Sequence, residues 1–348
     1  MTRRRAGVGA VAAGVLAVVI PATRAQESPP PSPPPSPPSA PREAVVTSLT
    51  VFAGTSGGLY RSRDWGNSWQ PAVKGENTFG LDGVGAVRDV VPVGPHVLLG
   101  GDGGVYLSDD FGLTWRRTET GAPVARVLPS RYPTADLTVF AATASGLLKS
   151  GDAGRTFAPT VLTGTPVYRL EWPGPALVAA TGRGVLVSMD SGTTFTAAEA
   201  GLPAGDVRAL AVSTFFAIDP VLFAGVGAHG VYRSGDRGRT WKPAGLEGET
   251  VTDLAWLGPF LYAVTGNGVF RSEDMGQVWN PLKKGLDKAP TRVLFPLMPV
   301  SGMEVFLGTM QGVYRSPDGG AHWQPSGLQD QAVLCLATFP QQDMSRSR

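Results

Sequence analysis

The sequence has few of the residues that build disulfides and metal sites. Cys335 is the single cysteine among 348 residues, so no disulfide can form within the chain. The three histidines, His96, His229 and His322, are far apart, and no pair has the spacing of zinc ligands. No calcium-loop pattern occurs either. We therefore expect a fold stabilised by packing alone, with no metal and no cofactor.

Charge is also sparse. Charged residues make up 17% of the chain, and the formal net charge is +2. Residues 1–25 hold four arginines, and without them 26 basic and 28 acidic residues remain. A chain with no excess of positive charge is not expected to bind nucleic acid. The 46 glycines and 31 prolines exceed what a helical protein tolerates and are typical of an all-β fold with many turns.

The N-terminal residues 1–25 have the pattern of a secretory signal. Three arginines at 3–5 precede an apolar run of 15 residues at 6–20, which is short because a membrane span needs about 20 residues. Small residues near Ala25 offer a cleavage site. We expect a cleaved signal and an exported protein, periplasmic or extracellular, or in the thylakoid lumen of a photosynthetic host. A retained anchor is the alternative, and the Sec and twin-arginine routes both stay open.

Residues 26–43 form a proline-rich linker. Nine prolines fall within 28–41, and such a segment is expected to adopt an extended polyproline II spacer of about 40 Å. The alternative is a ligand for a proline-binding module. The folded domain is expected over 44–340, followed by a disordered tail over 341–348.

A repeated motif fills the rest of the chain. Its pattern is Gly, aliphatic, Tyr/Leu/Phe, any residue, Ser, any, Asp, any, Gly, any, any, aromatic, and the Asp-to-Asp spacings run from 38 to 46 residues. Such a period indicates a repeat architecture. The seven copies are Gly58–Trp69, Gly104–Trp115, Gly146–Phe157, Gly184–Phe195, Gly230–Trp241, Gly268–Trp279 and Gly312–Trp323.

Each motif residue has a structural role. The aspartate lies in a hairpin, where its carboxylate can accept hydrogen bonds from nearby backbone N–H groups. The second glycine supplies a backbone conformation that a Cβ disfavours, and the aromatic ring can be buried between neighbouring units. We interpret the seven aspartates as structural: Asp64, Asp110, Asp152, Asp190, Asp236, Asp274 and Asp318.

The period fits four short strands per repeat. In the fifth copy, strands are expected over Val207–Val212, Val221–Gly225, Val231–Ser234 and Thr240–Pro243. Four-stranded antiparallel units repeated radially make a β-propeller, so seven motifs predict seven blades. The first repeat lacks an inner strand and the segment 331–338 has no blade of its own, so this C-terminal strand is expected to close the ring in blade one.

Inner strands begin near arginines in five of the seven blades. If these strands line a central channel, the arginines lie near one rim, where they could bind an acidic protein partner. The alternative is that they pair with nearby acids such as Asp89 and Asp253. The five candidates are Arg88, Arg126, Arg169, Arg208 and Arg292, of which Arg126 and Arg169 are offset by one position.

The Ser-x-Asp-x-Gly-x-Thr-Trp element resembles the Asp-box, or bacterial neuraminidase repeat, which lies on a blade periphery away from any active site. A single exported propeller of seven such repeats is similar to the photosystem II stability and assembly factor family. That resemblance implies a non-catalytic scaffold, an arginine-rich patch, and a protein partner such as a membrane protein or its precursor. We expect a monomer. The proline-rich linker departs from that family's pattern.

Two other functions stay open. Sialidases and xyloglucan-cleaving enzymes also carry Asp-boxes, but no Arg-Ile-Pro element and no second propeller occur here, and no pair of carboxyl groups stands out for hydrolysis. A carbohydrate-binding lectin would need exposed rim aromatics, for which Trp172, Trp256 and Phe215 are candidates. The Gly-x-Ser-x-Gly run at 54–58 is read as a tight hairpin because no helix pattern follows it. The protein is expected not to be an enzyme.

Overall fold

The computed structural model describes residues 48–72, 81, 83–93, 96–110, 112–130, 136–198, 200–213, 219–286, 291–297 and 303–341. Within these ranges the side chains of 48–49, 291–297 and 339–341 are outside the description. The predictions for 1–25, 26–43 and the tail over 341–348 also lie outside it, except that Gln341 ends the last strand. No helix in the described ranges has the length and apolar character to cross a membrane.

The described chain is all-β and forms seven four-stranded antiparallel sheets, which confirms the predicted seven-bladed propeller. Blade one contains β1 (Ser48–Thr55), β2 (Gly58–Ser62) and β3 (Gln70–Pro71). Blade two contains β4 (Val87–Val93), β5 (His96–Gly101), β6 (Gly104–Ser108) and β7 (Arg116–Thr118). Blade three contains β8 (Val124–Pro129), β9 (Val139–Thr143), β10 (Gly146–Ser150) and β11 (Ala158–Thr163).

The remaining blades repeat this order. Blade four contains β12 (Val167–Glu171), β13 (Leu177–Thr181), β14 (Gly184–Ser188) and β15 (Thr196–Ala197). Blade five contains β16 (Val207–Val212), β17 (Leu222–Val226), a 3-10 turn (Gly227–His229), β18 (Val231–Ser234) and β19 (Lys242–Pro243). Blade six contains β20 (Val251–Leu257), β21 (Phe260–Thr265), β22 (Gly268–Ser272) and β23 (Asn280–Pro281). Blade seven contains β24 (Thr291–Leu297), β25 (Glu304–Thr309), β26 (Gly312–Ser316) and β27 (Gln324–Pro325).

The C-terminal strand closes the ring as expected. Strand β28 (Val333–Gln341) pairs with β1 in an antiparallel register that runs from Ser48–Gln341 to Thr55–Val333. Blade one therefore takes its inner strand from the C-terminus and its other three strands from the N-terminal part of the domain. Pairing the two ends in one sheet leaves neither of them as an exposed edge beside the channel.

Apolar clusters lie between neighbouring blades. Val178 and Val185 of blade four, for example, share one cluster with Leu210, Leu222 and Trp241 of blade five. The Asp-box tryptophan reaches back across this boundary, because the Trp241 indole Nε1 donates to the Ala198 carbonyl oxygen at 2.7 Å. Trp241 thus buries apolar surface and satisfies its single donor at the same time, whereas the Nε1 of the equivalent Trp323 is buried without an acceptor in the described part of the chain.

The strands of blade five differ only slightly from the prediction. The inner strand β16 and the third strand β18 have the expected bounds. The second strand begins one residue later, at Leu222, and the fourth covers Lys242–Pro243 alone. The fourth strand is short because Thr240 and Trp241 belong to the turn, where Thr240 binds the motif aspartate.

Candidate functional site

The ring has two faces of different construction. On one face lie the starts of the inner strands and the hairpins that join second to third strands, such as Gly101–Gly104. The Asp-box turns lie on the other face, between third and fourth strands. We call the first the rim face and the second the Asp-box face.

Every inner strand has a β-bulge at its second residue. The register with the second strand shifts there in all seven blades, for example between Val87 and Asp89, where Arg88 is the extra residue. A bulge bends the strand and redirects a side chain. The one-residue offset among the predicted arginines has this cause: Arg88, Arg208 and Arg292 occupy the bulge, whereas Arg126 and Arg169 follow it.

The bulge arginines Arg88 and Arg208 lie on the rim face, each beside an acid of its own blade. Arg88 donates from Nε at 3.0 Å and from Nη2 at 2.8 Å to one oxygen of Asp102, and the Arg88 side chain is 39% exposed. Arg208 Nη2 contacts Asp206 Oδ2 at 2.8 Å, and its side chain is 52% exposed. Neither arginine is a bare cation, but both are open to solvent.

Tyr168, the bulge residue of blade four, makes a cation–π contact with Arg208. The Arg208 guanidinium carbon lies 5.0 Å from the centre of the Tyr168 ring, and the Tyr168 hydroxyl donates to Asp206 at 3.1 Å. Burial, followed by the hydrogen bond to the Asp206 carboxylate, raises the pKa of the Tyr168 hydroxyl. Cation, aromatic ring and carboxylate thus form one preorganised cluster across blades four and five.

The arginines that follow the bulge point into a different, charged cluster. Arg126 Nη1 lies 3.5 Å from Asp89 Oδ1, and the second Asp89 oxygen accepts the Val127 N–H at 2.8 Å. Arg169 contacts Asp253 at 3.3 Å and Glu171 at 3.2 Å. Because Arg169 belongs to blade four and Asp253 to blade six, this ion pair joins two blades that are not neighbours.

We call Asp89, Arg126, Arg169, Glu171 and Asp253 the channel cluster. Asp253 is almost fully buried, with 3% of its side chain exposed, whereas 23% of the Arg169 side chain is exposed. Burial raises the pKa of the Glu171 carboxyl, and the opposing attraction of Arg169 does not cancel that effect. For Arg126 and Arg169, the structure thus has the ion pairs with Asp89 and Asp253 that the sequence offered as the alternative to partner binding.

The remaining candidates divide between the core and the residues outside the description. Arg292 holds the bulge position of β24, but its side chain is not described. Trp172 lies 5.7 Å from Phe140 between ring centres, and Trp256 lies 5.7 Å from Phe223. Both tryptophans are half-buried and pack on core phenylalanines. Phe215 falls outside the described residues.

The seven motif aspartates share one hydrogen-bond arrangement on the Asp-box face. In every copy the motif serine donates to one carboxylate oxygen at 2.7 or 2.8 Å. The same oxygen accepts the backbone N–H four residues after the aspartate, at 2.7 to 2.9 Å. The serine oxygen in turn accepts the N–H of the second glycine.

These hydrogen bonds stabilise the charged carboxylates. Hydrogen bonds led by the Thr156 hydroxyl hold the pKa of Asp152 at about 2, and the Thr194 hydroxyl does the same for Asp190. Burial opposes ionisation of Asp236, but hydrogen bonds led by that of the Thr240 hydroxyl outweigh it and hold the Asp236 pKa at about 2 as well. Each of these carboxylates is held within its own turn.

The sequence pattern alone does not identify several of the residues that form these sites. The motif serine bridges the glycine N–H and the carboxylate, a role that its presence in every copy could have indicated. Asp102, Asp206 and Tyr168 on the rim face carry no repeated signal. Glu171 belongs to a single blade, and only the assembled ring shows which charges it faces.

The Gly-x-Ser-x-Gly run falls on a hairpin, as expected. Residues 54–58 comprise the end of β1, a two-residue turn and the first residue of β2, and no helix follows them. Among the residues that the structure describes, no group of three or more histidine, cysteine or acidic side chains is arranged to hold a metal ion. Cys335 is buried, and burial raises the pKa of its thiol.

Comparison with known proteins supports the fold and gives no family by sequence. No protein-family model matches the chain, and no curated protein matches it. Among solved structures, an ancestral GH74 enzyme aligns with a TM-score of 0.57 and 20% identity over 69% of this chain. The alignment covers 38% of that enzyme, so this chain spans well under half of its length.

Two further similar structures are Ycf48 proteins. A structure of Ycf48 bound to a D1 peptide aligns with a TM-score of 0.53 and 18% identity, covering 69% of this chain and 80% of that one. Ycf48 from Cyanidioschyzon merolae aligns with a TM-score of 0.53 and 14% identity, covering 71% and 86%. The predicted resemblance to propellers of these types is confirmed, and at these identities it shows the fold alone.

Proposed function

We propose that this chain is a non-catalytic, exported propeller scaffold that binds a protein partner through the rim face. The observation that carries the proposal is the pair of solvent-open arginines, Arg88 and Arg208, that bulges project from one face of the ring. The proposed partner is a protein with acidic segments, and a membrane protein or its precursor is the class we favour.

The rim ion pairs are suited to exchange. An exposed pair contributes only about 0–1 kcal/mol to stability, so replacing Asp102 or Asp206 by a partner's carboxylate costs little. Arginine offers two parallel donors to a carboxylate, which gives directional recognition. The Tyr168 ring holds the Arg208 guanidinium in place before binding, which lowers the entropy lost on association.

The structural comparison adds support at the level of the fold. A Ycf48 propeller that aligns over 80% of its own length binds a D1 peptide, so a ring of this type can act as a peptide receptor. Export is proposed from the N-terminal signal pattern, and the proline-rich linker would keep the propeller away from a membrane surface. We propose a monomer in the periplasm or outside the cell, or in the thylakoid lumen of a photosynthetic host.

The second candidate is a glycoside hydrolase. It is favoured by the GH74 similarity and by Glu171, whose raised pKa is the property of a general acid. The surrounding contacts argue against it, because Asp89, Glu171 and Asp253 each lie against an arginine and none of the three is a free carboxylate. A carbohydrate-binding lectin loses support because each of the half-buried rings of Trp172 and Trp256 is engaged by a core phenylalanine.

Cross-linked affinity capture from the source organism's membranes tests the scaffold. The bait is the mature domain, compared with a variant in which Arg88, Arg208 and Arg292 are all changed to Ala and whose fold is confirmed by circular dichroism. The proposal predicts a membrane-protein partner that the wild type retains and the variant loses. Equal capture of the partner by the wild type and the variant would exclude the rim face as the binding surface.

A hydrolysis screen separates the two candidate functions. Wild type and Glu171→Gln are incubated with xyloglucan and sialosides, and released sugar is measured. The scaffold proposal predicts no release by either protein. Release by the wild type that the Gln variant loses would establish the enzyme instead.

A further inference from the structure

Blade five has an electrostatic arrangement that the other blades lack. The residue before the motif serine faces the fourth strand, and in blade five this places Arg233 directly opposite Lys242. In the other six blades of the described ring, the facing pair contains at most one cation. Like charges placed directly opposite each other in a sheet are destabilising, so this pair needs a compensating anion.

Three of the four sister blades that carry a cation at this position provide an acceptor for it. In blade six, Arg271 contacts Glu273 at 2.6 Å and the Gly319 carbonyl oxygen at 3.3 Å. In blade seven, Arg315 pairs with Glu304, and in blade three Lys149 donates to the Ser191 carbonyl oxygen at 2.8 Å. These three blades therefore supply an acceptor at this position from their own blade or from the next one, although the Arg271 Nε is buried without one. In blade one, Arg61 makes no side-chain hydrogen bond or ion pair within the described part of the chain and lies near Arg63.

Blade five has lost both acids. Gly235 stands where blade six has Glu273, and Val221 stands where blade seven has Glu304. Within the described part of the chain, Arg233 makes no hydrogen bond or ion pair, and its Nε is buried without an acceptor. A buried guanidinium nitrogen with no acceptor is unfavourable in the empty protein and becomes favourable when an anion occupies the site.

The two cations face an open groove between blades five and six. The groove has a volume of about 710 Å³, and Arg233 and Lys242 lie in its wall. Asp236 also borders it, but both of its oxygens are engaged by Ser234 and Thr240 in the Asp-box turn. The opposite wall includes Met275, which is 37% exposed.

We infer that this groove binds a tetrahedral oxyanion, a sulfate or phosphate group, either as the free ion or as a monoester. The two cations outnumber the ionised Asp236 carboxylate in the groove wall, so the groove favours an anion, and the arginine fork suits the oxygens of a sulfate or phosphate group. The apolar wall at Met275 would contact the organic part of an ester. The site lies on the Asp-box face, away from the rim arginines, and does not depend on the proposed partner.

Titration of the purified domain with inorganic sulfate, inorganic phosphate and phosphoserine tests the inference, by calorimetry and by the thermal midpoint. Chloride keeps the ionic strength constant, and all variants share the buffers because sulfate also stabilises proteins by exclusion from their surface. Binding is expected to be saturable in wild type and about tenfold weaker or absent in Arg233→Gln. Tighter binding of phosphoserine than of phosphate would identify an ester as the ligand, and equal binding the free ion.

Gly235→Glu provides a second, independent variant. No atom lies within 4 Å of a Cβ placed at Gly235, so a side chain can be attached there without a clash at its first carbon, and the variant restores the acid of blade six. This variant should have a higher thermal midpoint without anion and should no longer respond to it. Lys149→Gln, in the equivalent groove between blades three and four, is the matched control and should bind anion as wild type does. Equal midpoint shifts in all four proteins would overturn the inference.

Discussion

At the scale of single residues, the repeat is a hydrogen-bond device built on an ionised carboxylate. The sequence predicts the aspartate's position, its hairpin and the left-handed glycine, because these follow from residue types that recur seven times. Gly238, for example, has φ of 85°, where a Cβ is disfavoured. The recurrence of the serine in every copy indicates a structural role, but its two partners, the aspartate carboxylate and the glycine N–H, are identified only in the folded turn.

Asp236→Ala should destabilise the domain. The change removes the acceptor of the Ser234 hydroxyl and of both the N–H and the hydroxyl of Thr240, and we expect a loss of about 2–3 kcal/mol in the free energy of unfolding. Urea denaturation measures this loss, with the exposed Glu247→Ala as a near-neutral control. Any partner affinity should persist in the fraction that remains folded, and its selective loss would contradict the structural role of Asp236.

The Asp-box carboxylates predict the acid limit of stability. Asp152, Asp190, Asp236 and Asp318 have pKa values of about 2 in the folded protein, against 3.8 for the free side chain. A lowered folded pKa contributes stability above the unfolded pKa, and that contribution is lost as pH falls through the folded pKa. Thermal midpoints should therefore fall steeply between about pH 4 and pH 2. A midpoint that is constant across that interval would contradict the assignment.

At the scale of the strand, the bulge decides what each inner-strand arginine does. The sequence alone predicts that five inner strands begin near an arginine. It also shows that Arg126 and Arg169 are offset by one position from the other three. It cannot show that the bulge residue reaches the rim while its successor enters the channel, because a bulge is a property of the pairing with the second strand. Nor can it show that Arg169 meets Asp253, since their blades are not adjacent in the chain.

The two kinds of ion pair should differ in stability when one partner is removed. Asp253→Asn removes the negative charge that pairs with the Arg169 guanidinium at a nearly buried position. We expect a loss of about 3 kcal/mol in the free energy of unfolding. Asp102→Asn at the exposed Arg88 pair should cost less than about 1 kcal/mol. Chemical denaturation of both variants makes the comparison. Equal small losses would mean that the channel cluster does not hold blades four and six together.

The junction of the two chain ends should tolerate no added volume. A Cβ at Gly54 would lie 2.4 Å from the Cys335 sulfur and 2.7 Å from the Val87 carbonyl oxygen. Gly54→Ala should therefore lower the free energy of unfolding by about 2 kcal/mol through overpacking. Gly151→Ala is the matched control, because no atom lies within 4 Å of the position that its added methyl group would take. Equal stability of the two variants would show that blade one is loosely closed.

At the scale of the whole molecule, periodicity carries most of the prediction. Seven motifs predict seven blades. The first repeat lacks an inner strand and the C-terminal segment has no blade of its own, so the two are expected to pair and close the ring. The binding partner does not follow from the period, since every blade satisfies the same fold rules whatever its loops carry. The Arg233–Lys242 pair of blade five shows where one repeat departs from its sisters, and such departures mark candidate sites better than the shared motif does.

The affinity of a captured and purified partner for two matched double variants tests the central claim most directly. One carries Arg88→Ala and Arg208→Ala on the rim face, and the other carries Arg155→Ala and Arg239→Ala on the Asp-box face. Both remove two exposed charges, so a non-specific loss of positive charge affects them equally. The account predicts that the rim variant binds at least about tenfold more weakly and that the Asp-box variant binds as wild type does. Equal affinity of the two variants would contradict binding through the rim face.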